Sequence, residues 1–343
     1  MTDSPFLPGK PESPFLPGTK TQWAWDSTSI GLLKTCPRLY QYTILDGYQP
    51  KGESVHLRFG SEFHSALWNY DRMIAEDIPH DEAVREAVHA LMITTADWRP
   101  VPDPDQPRDP RKHKNRESLI RTVIYYLDHR RNDPLKTYKM ANGEAAVEVS
   151  FRFELSFGPD HHNPREYGAS PADVALGLVQ PYLLCGHLDR ICEDANGDLF
   201  IEDHKTTTST PGQYYFAGYE PNNQMSLYTT AGQVVLEAPV RGVAINAVQL
   251  LLEPPYARFI RGFTFRNPEQ LEEWQTDLSR WLQLAEWYAE NDYWPQNDTA
   301  CDKFGGCGFR NVCSKAPSVR HIYLNSDFTK LSEDERWNPL KSR

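Results

Sequence analysis

The chain has 343 residues, of which 39% are apolar and 24% charged, and its net charge is −11 at pH 7. These values are typical of a globular protein long enough for one large domain or two small ones. The acidic balance argues against a protein that coats nucleic acid through a generally basic surface, so any polyanion would have to meet a local basic patch.

No apolar run reaches the roughly 18 residues that a membrane-spanning helix requires. The first residues, "MTDSPFLPGKPE", lack the basic and apolar regions of a secretory leader. We therefore expect a cytoplasmic protein without membrane contact.

Residues 1–22 contain a duplication, "SPFLPGKPE" followed by "SPFLPGTKT", which is rich in Pro and Gly. Such a composition predicts a disordered tail. Because the Phe-Leu pair recurs, the SPFLPG repeats are either a doubled short motif that binds a protein partner or the product of replication slippage.

The first half of the chain shows mainly helical patterns. The first run, "STSIGLLKTCPRLYQY", begins at Ser27, which is a candidate N-cap. The predicted helices span 27–42, 59–74, 81–92 and 117–131.

A basic segment, "RDPRKHKNR", lies between the third and fourth predicted helices. It is either a phosphate-binding patch for DNA or a solvated loop before a helix. The candidate DNA-binding residues are Arg108, Arg111, Lys112, Lys114 and Arg116.

The second half of the chain changes to strand patterns. "AAVEVSFRFEL" alternates as a strand, and two apolar runs flank a turn signal at 194–198. A helix, two further strands and a last helix follow at 222–236, 241–252, 257–266 and 268–290. The prediction is an α/β fold with a mixed central sheet of about five strands flanked by helices, and a helical N-terminal half.

The two apolar runs, 182–192 and 199–206, predict a β-hairpin. A three-residue loop, 195–197, with Gly197 in the left-handed conformation fixes its register. The residues that then face each other are Asp194 and Asp198, Cys192 and Phe200, and Asp189 and Asp203.

This register places two carboxylates in direct opposition, which is destabilising unless something compensates. Lys205, two residues beyond Asp203, lies on the same strand face, but one lysine cannot neutralise two acids. A divalent cation with oxygen ligands, Mg²⁺ or Mn²⁺, would offset the repulsion. The alternative is a solvent-facing strand pair with ordinary surface charges.

These elements, in this order, resemble the signature of the PD-(D/E)XK nucleases of the RecB type. The resemblance covers roughly residues 26–315 and implies a restriction-endonuclease-like core. "CPRLYQY" resembles the N-terminal helix of these enzymes. The other matching residues are Gly60 and His64 in "FGSEFHSAL", then Gly186-x-x-Asp189-Arg190-Ile191, then "IEDHKT" at 201–206, then Gln224-x-x-x-Tyr228.

The resemblance implies a metal site and a catalytic lysine. Asp189, Asp203, the His64 imidazole and the backbone carbonyl of His204 would bind Mg²⁺ or Mn²⁺. Lys205 would orient or activate the attacking water and stabilise the charge that develops on the phosphate.

The resemblance also implies residues around that centre. Gln224 and Tyr228, one helical turn apart, would flank the site and contact DNA. Glu148, on the first strand, is a candidate outer-shell acid.

Four cysteines form a second signal, with Cys36 in the first predicted helix and the other three in "CDKFGGCGFRNVC". Four thiolates suit iron–sulfur or structural zinc. In a subset of the RecB-like nucleases, which includes CRISPR-associated exonucleases, one N-terminal and three C-terminal cysteines hold a [4Fe-4S] cluster. The resemblance favours that cluster over zinc, although the spacing from Cys301 to Cys307 is longer than the family's Cys-x₂-Cys. The ligands would be Cys36, Cys301, Cys307 and Cys313.

We therefore expect a disordered tail at 1–22, a RecB-like nuclease domain at 23–316 closed by the cysteine cluster, and a C-terminal tail at 317–343. The expected activity is metal-dependent hydrolysis of DNA, as an exonuclease acting on single strands or ends. The alternative is a DNA-end-binding or assembly subunit with a weak or silent nuclease site, acting through a protein partner.

Overall fold

A computed structural model describes residues 13–16, 18–52, 54–106, 109–155, 181–302 and 306–341. The described residues form two compact units. The first unit comprises the segments 1–52, 150–186 and 269–343, and the second comprises 53–149 and 187–268.

The helices and strands match the predicted pattern closely. The helices are α1 Ser27–Thr35, α2 Pro37–Tyr40, α3 Val55–Ala75, α4 His80–Thr94, α5 Arg116–His129, α6 Gln213–Ala217, α7 Asn223–Leu236, α8 Pro268–Glu290, α9 Arg310–Cys313 and α10 Arg320–Asp327. The strands are β1 Ala24–Trp25, β2 Tyr48–Pro50, β3 Lys136–Thr137, β4 Val147–Glu154, β5 Leu183–Glu193, β6 Leu199–Thr207, β7 Gly242–Leu250, β8 Ala257–Thr264 and β9 Phe328–Lys330. No helix in this described part of the chain combines the length and apolarity needed to cross a membrane.

The predicted α/β class with a mixed sheet is confirmed. The sheet has the order β1-β5-β6-β7-β8, and β3 and β4 also pair with β5. β6 runs parallel to β7 and antiparallel to β5, whereas β7 and β8 are antiparallel. The five longer strands are the predicted ones, and the two-residue strands β1 and β3 bring the described total to seven.

The first predicted helix is wrong in its cap and in its length. Asp26, rather than Ser27, is the N-cap, and its side chain accepts the backbone N–H of Ser29 in a capping box. The helix stops before Cys36, which is extended with φ −164°. The physical reason is Pro37, because a proline disfavours the helical conformation of the residue before it.

Both ends of the chain contribute more structure than the sequence predicts. Phe15, in the second SPFLPG repeat, forms a β-bridge with Gln22, and Leu16 packs beside Trp23. These residues differ from the expected disordered tail, and the first repeat lies outside the described residues. The expected tail beginning at 317 contains α10 and β9, and β9 pairs with β2.

The second unit holds helices on both faces of β7, which is buried at every position. Helices α3, α4 and α5 pack their apolar faces on one side, where Val248 and Phe259 of the sheet meet them. Helix α7 packs on the other side at Gly232, where an added Cβ would lie 2.7 Å from the Ile201 side chain. This layered arrangement is typical of a central strand covered on both faces.

Candidate active site

The site is built on the β5–β6 hairpin, and the structure confirms its predicted register. Cys192 pairs with Phe200 and Arg190 with Glu202. Gly197 has φ +85°, as the three-residue loop requires. The ladder ends at the Arg190–Glu202 pair, one position before the two aspartates.

At that end, side-chain contacts replace backbone pairing. The backbone N–H of His204 donates to Asp189 Oδ2 at 3.2 Å. Asp203 is 1% exposed, and its Oδ1 accepts a hydrogen bond from Lys205 Nζ at 2.9 Å. Asp203 Oδ2 is buried and has no hydrogen-bond partner among the described residues.

The electrostatics reflect this incomplete pairing. Burial raises the pKa of Asp203, and although Lys205 opposes that effect the value stays above the ordinary one. Burial would also raise the pKa of Asp189, but His64, His204 and Lys205 hold it below its ordinary value. Burial lowers the pKa of Lys205, and the two aspartates more than restore it, so the ammonium form is favoured.

His64 projects from α3 into the gap beside the hairpin. Its Nε2 lies 3.1 Å from the His204 carbonyl oxygen, and its Nδ1 lies 3.2 Å from Asp189 Oδ2. Burial lowers the pKa of His64, but the Asp189 carboxylate raises it above its ordinary value. Since both ring nitrogens face acceptors, a positive charge is stabilised at this point.

Glu148 completes the group from β4. One carboxylate oxygen of Glu148, one of Asp189 and a ring nitrogen of His64 lie within 4.8 Å of one another. Glu148 has φ +49°, a left-handed conformation that is rare for a residue with a side chain inside a strand. Such strain is typical of functional sites, because the surrounding structure must hold it in place.

The residues fit a divalent cation. The donors are carboxylate oxygens, a backbone carbonyl and an imidazole, which suit Mg²⁺ or Mn²⁺. Neighbouring ligands of an octahedral cation at about 2.1 Å lie about 3 Å apart. The 3.1 Å contact between His64 Nε2 and the His204 carbonyl oxygen has that spacing, whereas the Asp189 contact is made by the other ring nitrogen, Nδ1.

The predicted helical pair lies beside these groups on α7. Gln224 Nε2 donates to Tyr228 Oη at 2.8 Å. Burial raises the pKa of Tyr228 well above its ordinary value, and Asp189 and Asp203 raise it further. The Tyr228 hydroxyl therefore stays protonated near the carboxylates.

The opposite face of β6 carries an ion network around Glu202, in which the Nε atoms of Arg130 and Arg190 have no hydrogen-bond partner among the described residues. Glu202 Oε2 accepts from Arg190 at 2.5 Å, and Oε1 accepts from Asn246 at 2.6 Å and Arg261 at 2.8 Å. Arg130 makes a bidentate pair with Asp71, and Arg261 makes one with Asp133. This network holds β6, and with it the His204 carbonyl, from behind the site.

The basic segment differs from the expected exposed patch. Arg111 makes three hydrogen bonds to the Asp109 carboxylate through its guanidinium. Lys114 is 5% exposed, and its Nζ lies 3.2 Å from Thr206 Oγ1. Burial lowers the pKa of Lys114 to about 8. The alternative of a solvated loop is therefore wrong at Lys114, because this lysine packs over the Phe59 ring of α3.

The remaining residues of that segment are less informative. Arg116 donates to the Met92 carbonyl, and Lys112 is half-buried. Arg108 lies outside the described residues. DNA binding by this segment stays a prediction.

The four predicted cluster cysteines meet in the first unit. A cavity of about 60 Å³ is lined by Cys36, Cys301, Cys307 and Cys313. The backbone N–H of Asn297 lies 3.3 Å from Cys36 Sγ. Burial raises the pKa of the Cys307 and Cys313 thiols. The other two cysteines, Cys185 and Cys192, are buried in β5.

The comparisons with known proteins bear on the site as a whole. The sequence profile of the PD-(D/E)XK nuclease superfamily matches residues 27–314. The chain belongs to this superfamily. Curated protein sequences give no match.

Two solved structures are similar to this PD-(D/E)XK chain. The protein SSO0001 is 11% identical, with a TM-score of 0.30, over 76% of this chain and 77% of its own. A candidate exonuclease from Eubacterium rectale is 9% identical, with a TM-score of 0.41, over 82% of this chain and 86% of its own.

The structure brings His64 and Asp189 together with Glu148, and it places Asp203 beside Lys205 but outside that group. The second unit contains His64, Asp189, Asp203, Lys205 and the Gln224–Tyr228 pair, and the first contains the four cysteines predicted to bind a cluster. Glu148 was expected only as an outer-shell acid, yet it groups with His64 and Asp189. No pattern in the sequence signals its left-handed backbone.

Proposed function

We propose that this PD-(D/E)XK protein is a RecB-like deoxyribonuclease dependent on Mg²⁺ or Mn²⁺, which acts as an exonuclease on single strands or DNA ends. One observation carries the proposal: the buried Asp203 carboxylate lies beside Lys205, and one of its oxygens has no hydrogen-bond partner in the described part of the chain. An oxygen left in that state costs about 1–3 kcal/mol, and more if charged, unless a ligand satisfies it.

Asp189, Asp203, His64 and the His204 carbonyl would hold the metal, with Glu148 as an additional ligand. When bound, the metal ion would polarise the scissile phosphoryl group and lower the pKa of a bound water. Asp203 orients Lys205, whose ammonium form can donate to the attacking water or to a phosphate oxygen. Gln224 donates to Tyr228 Oη, which leaves the phenol proton to donate toward a substrate phosphate.

Cleavage of labelled DNA with increasing Mg²⁺ or Mn²⁺ tests this function. We expect release of short products from linear single strands and from duplex ends, and resistance of closed circular single strands. Lys205→Ala, which keeps the carboxylates, is the matched inactive control. A protein that binds ends but cleaves no DNA with either metal would instead fit the assembly-subunit alternative.

We also propose that the four cysteines bind a [4Fe-4S] cluster. The four cysteines line one cavity. Four thiolates suit zinc or iron–sulfur. The resemblance to RecB-like nucleases in which one N-terminal and three C-terminal cysteines hold a [4Fe-4S] cluster favours iron–sulfur over zinc.

Protein purified without oxygen tests the cluster. We expect a brown protein that contains iron and acid-labile sulfide in equal amounts, and loss of both in variants of the four ligands. Cys185→Ser and Cys192→Ser are controls that should keep the cluster. A colourless protein with about one zinc per chain would contradict the iron–sulfur proposal. The ligand variants are Cys36→Ser, Cys301→Ser, Cys307→Ser and Cys313→Ser.

A further inference from the structure

The chain between β6 and α7 carries four aromatic residues whose role the proposed chemistry does not explain. These lie in and just after α6, and we call residues 213–219 the aromatic segment. Tyr214 is 95% exposed, whereas Tyr215, Phe216 and Tyr219 are partly buried. A large ring held almost entirely in solvent suggests a surface awaiting a ligand.

Strand register places the aromatic segment on the active-site face of the sheet. Asp203 pairs with Ile245 of β7, and Ile245 pairs with Gly262 of β8. Paired residues of neighbouring strands point to the same face. A Cβ on Gly262 would lie 2.3 Å from the Phe216 ring, so Phe216 covers Gly262 on the face that bears the Asp203 carboxylate. Asp203 and Gly262 lie two strand spacings apart, which is about 10 Å.

Further contacts fix the aromatic segment in position. The Tyr219 carbonyl accepts a hydrogen bond from Arg266 Nη2 at 2.7 Å. Tyr219 Oη donates to Tyr215 Oη at 3.3 Å. Burial raises the pKa of Tyr215, and Lys205 and Asp203 also influence it, which agrees with a position next to the catalytic groups.

Tyr214 therefore protrudes from an anchored support. The Tyr215 hydroxyl is hydrogen-bonded to Tyr219 and Phe216 covers Gly262 of the sheet, whereas the Tyr214 ring is in solvent. The anchoring limits the conformational entropy that a ligand would have to remove on binding. The ring is uncharged and flat, which suits a planar apolar partner better than a phosphate.

We propose that Tyr214 is a stacking platform for an unpaired nucleobase of the substrate strand, close to the nucleotide whose phosphate occupies the site. The inference rests on the proposed function and specifies its substrate as single-stranded DNA or a frayed end. Base–aromatic stacking accepts every base and is worth about 1–3 kcal/mol per base. A base inside a duplex is already stacked and paired, so Tyr214 would favour unpaired strands.

Binding to oligonucleotides that carry one abasic position tests the proposal. We measure affinity in Mg²⁺ in the Lys205→Ala background, which prevents cleavage, and move the abasic position along the strand. One position should weaken binding by about 5- to 150-fold, the equivalent of one stacked base. Adding Tyr214→Ala should weaken binding of the intact strand by the same factor and remove the abasic penalty at that position only. Tyr214→Trp should preserve both.

The control is Tyr125→Ala, which removes an exposed ring of α5 and should change neither quantity. The proposal is overturned if the abasic penalty survives in Tyr214→Ala, if Tyr214→Ala binds the intact strand normally, or if no single strand binds. The proposed nuclease function is judged separately, by cleavage with the parental chain. A chain that shows the Tyr214-dependent penalty but never cleaves would retain this inference and lose the nuclease.

Discussion

The two faces of strand β6 each carry a buried acid, but only one of these carboxylates has hydrogen-bond partners for both of its oxygens. On one face, Glu202 is fully buried, and both its oxygens accept hydrogen bonds from Arg190, Asn246 and Arg261. On the other, Asp203 is equally buried, yet Oδ2 has no partner among the described residues. Burial is the same, so the difference lies in the partners. We call the Glu202 side the completed face, because both Glu202 oxygens accept hydrogen bonds, and the Asp203 side the incomplete face, because Oδ2 of Asp203 lacks a partner among the described residues. The completed face supports the strand, and the incomplete face is suited to an external cation.

The ion pairs of the completed face explain how one hairpin can be held rigidly and still offer a cation site on its other face. Three arginines, Arg130, Arg190 and Arg261, face three acids, Asp71, Asp133 and Glu202, within the second unit. A buried charge is costly unless it is paired and hydrogen-bonded, so this network restricts β6 to one position. On the Asp189–Asp203 face, His64 and Lys205 lie beside the two acids, yet burial still raises the pKa of Asp203, so its ionised form is unfavourable without metal.

We expect the largest effect from substitutions on the incomplete face, measured as the rate of DNA cleavage. Asp203→Asn and Lys205→Ala should each reduce DNA cleavage to background, by more than about 10⁴-fold, which corresponds to more than about 5.4 kcal/mol. The reason is loss of a proposed metal ligand in one variant and of the proposed water-orienting ammonium in the other. Initial rates in saturating Mg²⁺ measure the effect. Parental rates in either variant would remove that residue from the mechanism.

The next largest effect is expected from a substitution on the completed face, measured as the free energy of unfolding. Glu202→Gln should lower the free energy of unfolding by about 3–5 kcal/mol, because it leaves Arg190 and Arg261 facing a neutral amide in a buried position. Urea unfolding without metal measures the change. Asp203→Asn is the matched control, and it should leave stability unchanged or slightly raised since it relieves repulsion. Equal losses in the two variants would mean that the faces do not differ.

Metal should stabilise only through the incomplete face. Mg²⁺ at a hundred times its dissociation constant should raise the free energy of unfolding by about 2.7 kcal/mol. Asp203→Asn should abolish this gain, and a chelator should reverse it in the parental chain. If Asp203→Asn is stabilised as much as the parental chain, the cation binds elsewhere.

The smallest effect separates strain from charge at Glu148. Glu148→Gly should raise the free energy of unfolding without metal by about 1 kcal/mol, because glycine tolerates the positive φ. This value is the relief of backbone strain after subtraction of the entropy that glycine loses on folding. Glu148→Ala removes the same carboxylate but keeps the strain, so it should not gain that stability. Both should bind Mg²⁺ more weakly. Should glycine and alanine prove equally stable, the backbone at Glu148 stores no strain.

The hairpin was predictable because local rules fix it. The turn chemistry at Gly197 sets the register, and the register determines that Asp189, Asp203 and Lys205 share one face. The alternation of strand residues also placed Glu202 on the opposite face. Its arginine partners could not be predicted, since Arg130 and Arg261 come from distant elements that no local pattern connects.

The sequence was less informative where tertiary packing outweighs composition. The basic segment suggests a solvated patch, yet Lys114 is buried against Phe59 and Arg111 is paired with Asp109. Likewise, Trp23 gives the repeat residue Leu16 an apolar partner, so a Pro-rich composition does not produce a free tail there. Such outcomes depend on surfaces formed only after folding.

Anomalous diffraction from crystals soaked in Mn²⁺ tests most directly whether a cation binds at the Asp189–Asp203 face. We expect a peak bound by the Asp189 and Asp203 carboxylates, with Asp203 Oδ2 about 2.1 Å from the ion, as small octahedral cations require. The peak should be lost in Asp203→Asn crystals. Parental protein that cleaves DNA but whose crystals show no Mn²⁺ at Asp203, or show it only elsewhere, would contradict a cation site at this carboxylate.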